Sequence, residues 1–96
     1  MELYIFARFH AKPGHESTVS KALTECIVPT RGEPGCVRGQ VYRSIRDPGL
    51  FFVHSVWKDE SAFELHATLP HTVRMLGIVE PLIDHPLDVS RTEPIG

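Results

Sequence analysis

Three of the chain's six histidines, His54, His66 and His71, fall between Leu50 and His71, a stretch that also holds the only tryptophan, Trp57. Histidine titrates near neutral pH, so it suits the transfer of a proton to or from a bound molecule. His66 is the first candidate for a base, because it shares the apolar side of a helical pattern with Ala62, Phe63 and Leu69. His54 is the second, in the middle of the apolar run LFFVHSVW. Trp57 offers a flat wall for a planar ligand and an indole N–H to donate, with Phe63 adding apolar surface. Ser55 and Tyr42 offer hydroxyls. Tyr42 and Arg43 lie on opposite faces of strand two, so at most one of them is expected to serve.

Each residue has a plainer role beside this one. His66 can hydrogen-bond a backbone carbonyl or groups near Asp59. His54 can be a packed or interface histidine, Trp57 a core residue, and His71 a helix-start residue after Pro70. His10, His15 and His85 lie by strand ends and turns and are expected to face solvent. A catalytic metal is not expected. His66 and His71 are five residues apart across a proline, not the four that stack two ligands on one helix face. No nucleophile elbow, phosphate-binding loop or dinucleotide fingerprint occurs.

The elements that must hold these residues follow from periodicity. Residues 2–10 alternate, with Leu3, Ile5, Ala7 and Phe9 on one face and Tyr4, Phe6, Arg8 and His10 on the other. Lys12-Pro13-Gly14 ends that strand. Val19, Ala22, Leu23, Cys26 and Ile27 form one helical stripe between His15 and Pro29, where the proline is expected to kink or stop the helix. A loop at 31–35 leads to a second strand at 36–46, a turn at Asp47-Pro48-Gly49 and a third strand at 50–57. The third strand is apolar throughout, which predicts an interior place in the sheet. Asp59 is the expected N-cap of a helix running to about Leu69; a second helical pattern covers 72–83 and a fourth strand 86–95.

The order β-α-β-β-α-(α)-β predicts an α+β ferredoxin-like sandwich, a four-stranded antiparallel sheet with helices on one face. Ninety-six residues make one domain, here 1–96. The sheet face away from the helices would carry apolar residues, which predicts a homodimer through that face. A net charge of -2 gives no electrostatic footprint for nucleic acid, and no apolar run reaches the length of a membrane span. The N-terminal MELYIFARFH enters a strand with no basic leader, and the two cysteines fit a reducing compartment, so the expected location is cytoplasmic.

The segments FARFHAKPGHE, PTRGEPGC, LFFVHSVWKDESAFELHATLPH and PLIDHPLDVSR, taken together, resemble the antibiotic biosynthesis monooxygenase (ABM) superfamily. The resemblance covers almost the whole chain. It implies a dimeric α+β barrel and small aromatic or quinol-like ligands held between sheet and helices. It also implies, for some members, oxidation of phenols or anthrones by molecular oxygen with no metal or flavin. Trp57, His66 and His71 match the pattern; Ser55 stands where many quinol monooxygenase-like members carry a glutamate. The positions matching the residues of haem-degrading relatives are Ala7, His66 and Leu76, none of the required types, so haem cleavage is not expected.

Such oxygenation needs a substrate that donates an electron to oxygen once deprotonated, so the protein must supply a base, donors for the anion and a dry pocket. The resulting expectation is a cofactor-free monooxygenase acting on a small aromatic quinol or polyketide-like phenol, with molecular oxygen as co-substrate. Its alternatives are a small-molecule isomerase and a non-catalytic ligand-binding protein on the same dimeric scaffold.

Overall fold

The computed structural model describes the whole chain, Met1–Gly96. The elements are β1 (Leu3–His10), α1 (Glu16–Arg31), β2 (Cys36–Arg43), β3 (Leu50–Trp57), α2 (Glu60–His66), α3 (Pro70–Val79), a single 3-10 turn (Glu80–Leu82) and β4 (Asp88–Thr92). The strands form one antiparallel sheet in the order β2-β3-β1-β4. This is the expected ferredoxin-like α+β arrangement, with β3 in the interior. No helix is long and apolar enough to cross a membrane.

The alternation in β1 sets the layers. Leu3, Ile5, Ala7 and Phe9 are buried under the helices. Ala7 and Phe9 meet Phe51 of β3 and the α1 stripe Val19, Ala22 and Leu23 in the main core, which Val79 and Ile83 close from the far side, while Leu3 and Ile5 pack with Trp57 in a second cluster. Burial of these apolar faces is the dominant driving force for the fold. The opposite sheet face has no layer over it: Phe6, Tyr42 and Phe52 are all exposed there.

Several boundaries differ from the sequence reading, among them the end of α2, at His66 rather than about Leu69. α1 runs through Pro29 to Arg31 instead of stopping. The proline lies in the last turn, where its missing N–H costs one bond at an exposed face, and Thr30 and Ile27 on the inner face keep the turn packed. β2 ends at Arg43, and a register shift between Cys36 and Arg38 sets Val37 outside the ladder as a bulge. α3 starts at Pro70 itself, since a proline at the first helical position lacks only a hydrogen that has no partner there. β4 is confined to Asp88–Thr92, within the wider 86–95 stretch.

Two close approaches position the segment before β2. A Cβ on Gly39 would lie 3.0 Å from Ile27 Cδ1, and one on Gly35 would overlap the Ala62 Cβ. Glycine at 35 therefore lets the loop carrying Glu33 lie directly against α2. α2 in turn starts as expected, with Asp59 Oδ1 accepting from the Ala62 N–H at 2.8 Å.

His10 and His85 do not simply face solvent. The His10 ring is clamped between Asp84 (Nδ1 to Oδ2, 2.6 Å) and Asp47 (Nε2 to Oδ2, 2.9 Å), and its backbone N–H donates to His85 Nε2 at 2.9 Å. The clamp joins the end of β1 to the β2–β3 turn and to the segment before β4. The hydrogen bonds to Asp84 and then Asp47 raise the His10 pKa above its ordinary 6.5. Asp47 is held below 3.8 by the Gly49 N–H and then by His10, and Asp84 below 3.8 by His10. The raised histidine contributes stability that is complete below pH 6.5 and fades as pH rises through its folded value. The depressed carboxylates contribute stability that is complete above pH 3.8 and fades as pH falls through theirs. The clamp is thus strongest between those limits. Urea unfolding of wild type and His10→Ala should differ more at about pH 5.5 than at about pH 9; an equal difference at both would show that the charges do not contribute.

Candidate active site

An apolar cavity of about 250 Å³ lies between the sheet and helices α2 and α3. Its floor is Ile5 and Ala7 of β1 with Val53 and Ser55 of β3, and its roof is Phe63, His66, Met75 and Leu76. Leu87 and Val89, beside β1, border one side. The floor follows from strand parity: residues alternating with the open face point inward, and Ala7 is small enough to leave room above it.

His66, Ser55 and Phe63 take the positions expected of them. His54 does not. It is one residue from Ser55, so parity sends it to the open face, where it stacks on Phe6 at a centroid distance of 4.4 Å and its Nδ1 meets the Ile5 carbonyl at 3.0 Å. Tyr42 pairs with Phe52 and shares that open face, half exposed. Neither reaches the cavity.

Trp57 is not a ligand wall. It is 1 % exposed and packs on Leu3, Ile5, Cys36, Ala62 and Phe63 as the centre of a second core. Its indole N–H is already committed, donating to Ser55 Oγ at 2.9 Å. Ser55 therefore accepts from Trp57 and keeps its own hydroxyl hydrogen for another partner. Trp57 also carries His66, whose ring lies at 4.7 Å centroid distance, tilted by 36°.

The residue that sequence reading missed is Glu33. Its Oε2 lies 2.8 Å from His66 Nδ1 and 2.7 Å from His71 Nε2. The three side chains are only 9 %, 13 % and 17 % exposed for Glu33, His66 and His71. A carboxylate accepts, so both ring nitrogens donate. For His66 this places the proton on Nδ1 and leaves Nε2 with a lone pair. Thr72 Oγ1 approaches at 3.2 Å from Nδ1 and 3.5 Å from Nε2; with Nδ1 protonated, its hydroxyl can donate only to Nε2. An imidazole oriented by a carboxylate on one nitrogen, with an acceptor lone pair on the other, has the arrangement that proton transfer requires. His71, beyond a helix-start position, braces the same carboxylate.

His66 and His71 are not the only ligand atoms here: the folded chain brings Glu33 Oε2 beside them. Among the remaining groups, burial raises both thiols, Cys26 and Cys36, above their ordinary 9.0, so neither is a ready nucleophile. Arg91 of β4 lies over the Phe63 ring, 5.2 Å from its centroid, and pairs with Glu60 at 2.8 Å and Glu64 at 3.2 Å, which ties α2 to the sheet edge.

Comparison with known proteins agrees with this architecture. The chain is 29% identical over 91 residues to a Mycobacterium tuberculosis protein named "Putative monooxygenase Rv0793", covering 95% of this chain and 89% of that one. It is 25% identical over 87 residues to "Putative monooxygenase YcnE" of Bacillus subtilis, covering 91% and 92%. The solved structure of Rv0793 superposes with a TM-score of 0.93 at 26% identity, over 100% of this chain and 97% of that chain. The structure of PA3566 from Pseudomonas aeruginosa gives 0.91 at 25% identity, over 99% and 95%. The family model for antibiotic biosynthesis monooxygenase matches residues 3–76. With that match spanning both walls of the cavity and the strand–helix unit that carries His66, the chain belongs to the antibiotic biosynthesis monooxygenase family.

Proposed function

We propose that the protein is a monooxygenase that inserts one atom of molecular oxygen into a small, electron-rich aromatic quinol or polyketide-like phenol bound between sheet and helices. The observation that carries this reading is the Glu33–His66 pair on the wall of an apolar cavity. His66 Nε2 takes a proton from the substrate, and Glu33 stabilises the imidazolium that forms. The Ser55 hydroxyl, held by the Trp57 N–H, donates to the substrate oxygen on which charge develops. The deprotonated substrate then gives an electron to oxygen. For an anthrone-type methylene the balance is CH₂ + O₂ → C=O + H₂O, so the substrate supplies all the electrons. The apolar lining keeps water from the carbanion.

The test is oxygen uptake by metal-stripped protein with a panel of quinols and anthrones. One molecule of oxygen should be consumed per substrate, and His66→Ala should lower kcat by about 10²–10⁴-fold, the usual worth of a positioned base. No uptake with any substrate, or uptake unchanged in His66→Ala, would sink the reading. Proton exchange into a ligand without oxygen consumption would favour an isomerase instead.

The same proposal includes a homodimer. Phe6, Tyr42 and Phe52 stand exposed on the uncovered sheet face around His54, an aromatic surface of the kind that partners bury. Light scattering at micromolar concentration should give twice the chain mass of 10.8 kDa. A monomer, or a dimer unaffected by Phe6→Lys with Phe52→Lys, would refute that face as the interface.

A further inference from the structure

We propose that Glu33, His66 and His71 bind a divalent transition-metal ion of the Zn²⁺/Co²⁺ class, and that the ion switches off His66 as a base. Glu33 Oε2, His66 Nδ1 and His71 Nε2 all lie within 4.8 Å of one another. Two imidazoles and one carboxylate are the donor set of borderline transition metals; Mg²⁺ and Ca²⁺ prefer all-oxygen sites. Bonds of about 2.0–2.1 Å in a tetrahedral site separate ligand atoms by roughly 3.3 Å. The two contacts to Glu33 Oε2, at 2.8 and 2.7 Å, need to open by about half an ångström, and the two ring nitrogens, within 4.8 Å of each other, need to draw together around the ion.

The ligands come from three places that the fold already holds together. Glu33 sits in the loop that Gly35 lets close on α2, and its own N–H donates to the Thr30 carbonyl at 3.1 Å. His66 rests on Trp57 and Phe63 at the end of α2. His71 occupies the first turn of α3. The donors are thus largely pre-organised, and the Thr72 hydroxyl beside His66 is available as an outer partner or a weak fourth ligand. Three protein ligands leave a position for water.

The consequence for His66 follows from its two nitrogens. An ion on Nδ1 uses the lone pair there, and the ring proton must move to Nε2. Nε2 then donates where before it accepted, and proton abstraction stops. This second part rests on the oxygenation reading; binding of the ion does not.

Co²⁺ titration of metal-stripped protein, followed by visible absorption, tests the site with no substrate present. One Co²⁺ per chain should bind with tetrahedral d–d bands, displaced by Zn²⁺ and unaffected by Mg²⁺. Glu33→Gln and His71→Ala, each with an unchanged circular dichroism spectrum, should bind more than about 100-fold more weakly, beyond the loss of an outer hydrogen-bond partner. His10→Ala should bind as wild type. No bands, affinity retained in His71→Ala, or affinity lost in His10→Ala would overturn the site. With an active substrate in hand, stoichiometric Zn²⁺ should abolish oxygen uptake in wild type; full activity of the Zn²⁺-loaded protein would overturn the switch. Binding without oxygen uptake by the metal-free protein would leave the site standing and remove only the oxygenase reading.

Discussion

Trp57→Ala should lower the free energy of unfolding by about 3–5 kcal/mol, the usual cost of emptying a buried tryptophan site. Trp57 is 1 % exposed and stands at the junction of β1, β3 and α2, against Leu3, Ile5 and Phe63. The loss is large against a total stability of about 5–15 kcal/mol for a typical domain. Each kcal/mol corresponds to about 4–8 °C in Tm at this size, so urea and thermal melts at one fixed protein concentration should both report it. Trp57→Phe separates the two contributions. It keeps most of the packing but removes the donor to Ser55, and should cost about 1–3 kcal/mol. A loss below about 1 kcal/mol for the alanine variant would show that this second core is not the brace described.

Glu33→Gln should lower kcat for oxygenation by about 10²-fold or more in metal-stripped protein, with little change in KM. Glu33 touches no part of the cavity floor; it acts through His66. A glutamine keeps the size and one acceptor oxygen but removes the charge that stabilises the imidazolium, and its amide can hold His66 in the wrong tautomer. Both effects appear only when the proton moves, so binding should survive. A rise in KM with kcat unchanged would make Glu33 a shaping residue only.

Much of this architecture was legible in residue periodicity, and the exceptions are instructive. The alternation of Phe51, Val53, Ser55 and Trp57 against Leu50, Phe52, His54 and Val56 divided β3 into two faces correctly. It did not tell which face held the cavity, because both are apolar, and so both His54, as a second base, and Ser55, as a donor, were expected there. The helices decide that, and they choose the face of Ser55. Trp57 had the chemistry of a ligand wall, but its position at the strand end put it under α2 and committed its N–H. Glu33 carried no periodic signal at all. It sits in a Gly/Pro-rich loop, and its link to His66 spans 33 residues through the pairing of β2 with β3. The available clue was a carboxylate in the short loop E-P-G-C entering the strand beside β3, next to the helix that bears the histidine.

α2 has seven residues and no fully buried side chain. Phe63 and His66 lean on Trp57, Asp59 caps the first turn, and Arg91 straps Glu60 and Glu64 from outside. These ties are few and partly solvent-screened, so the free energy needed to lift α2 is a fraction of that needed to unfold the sheet. Amide hydrogens of α2 should therefore exchange well before those of β1 and β3. α2 is part of the cavity's roof, so each opening of these two turns of helix widens the way by which a ligand enters or leaves.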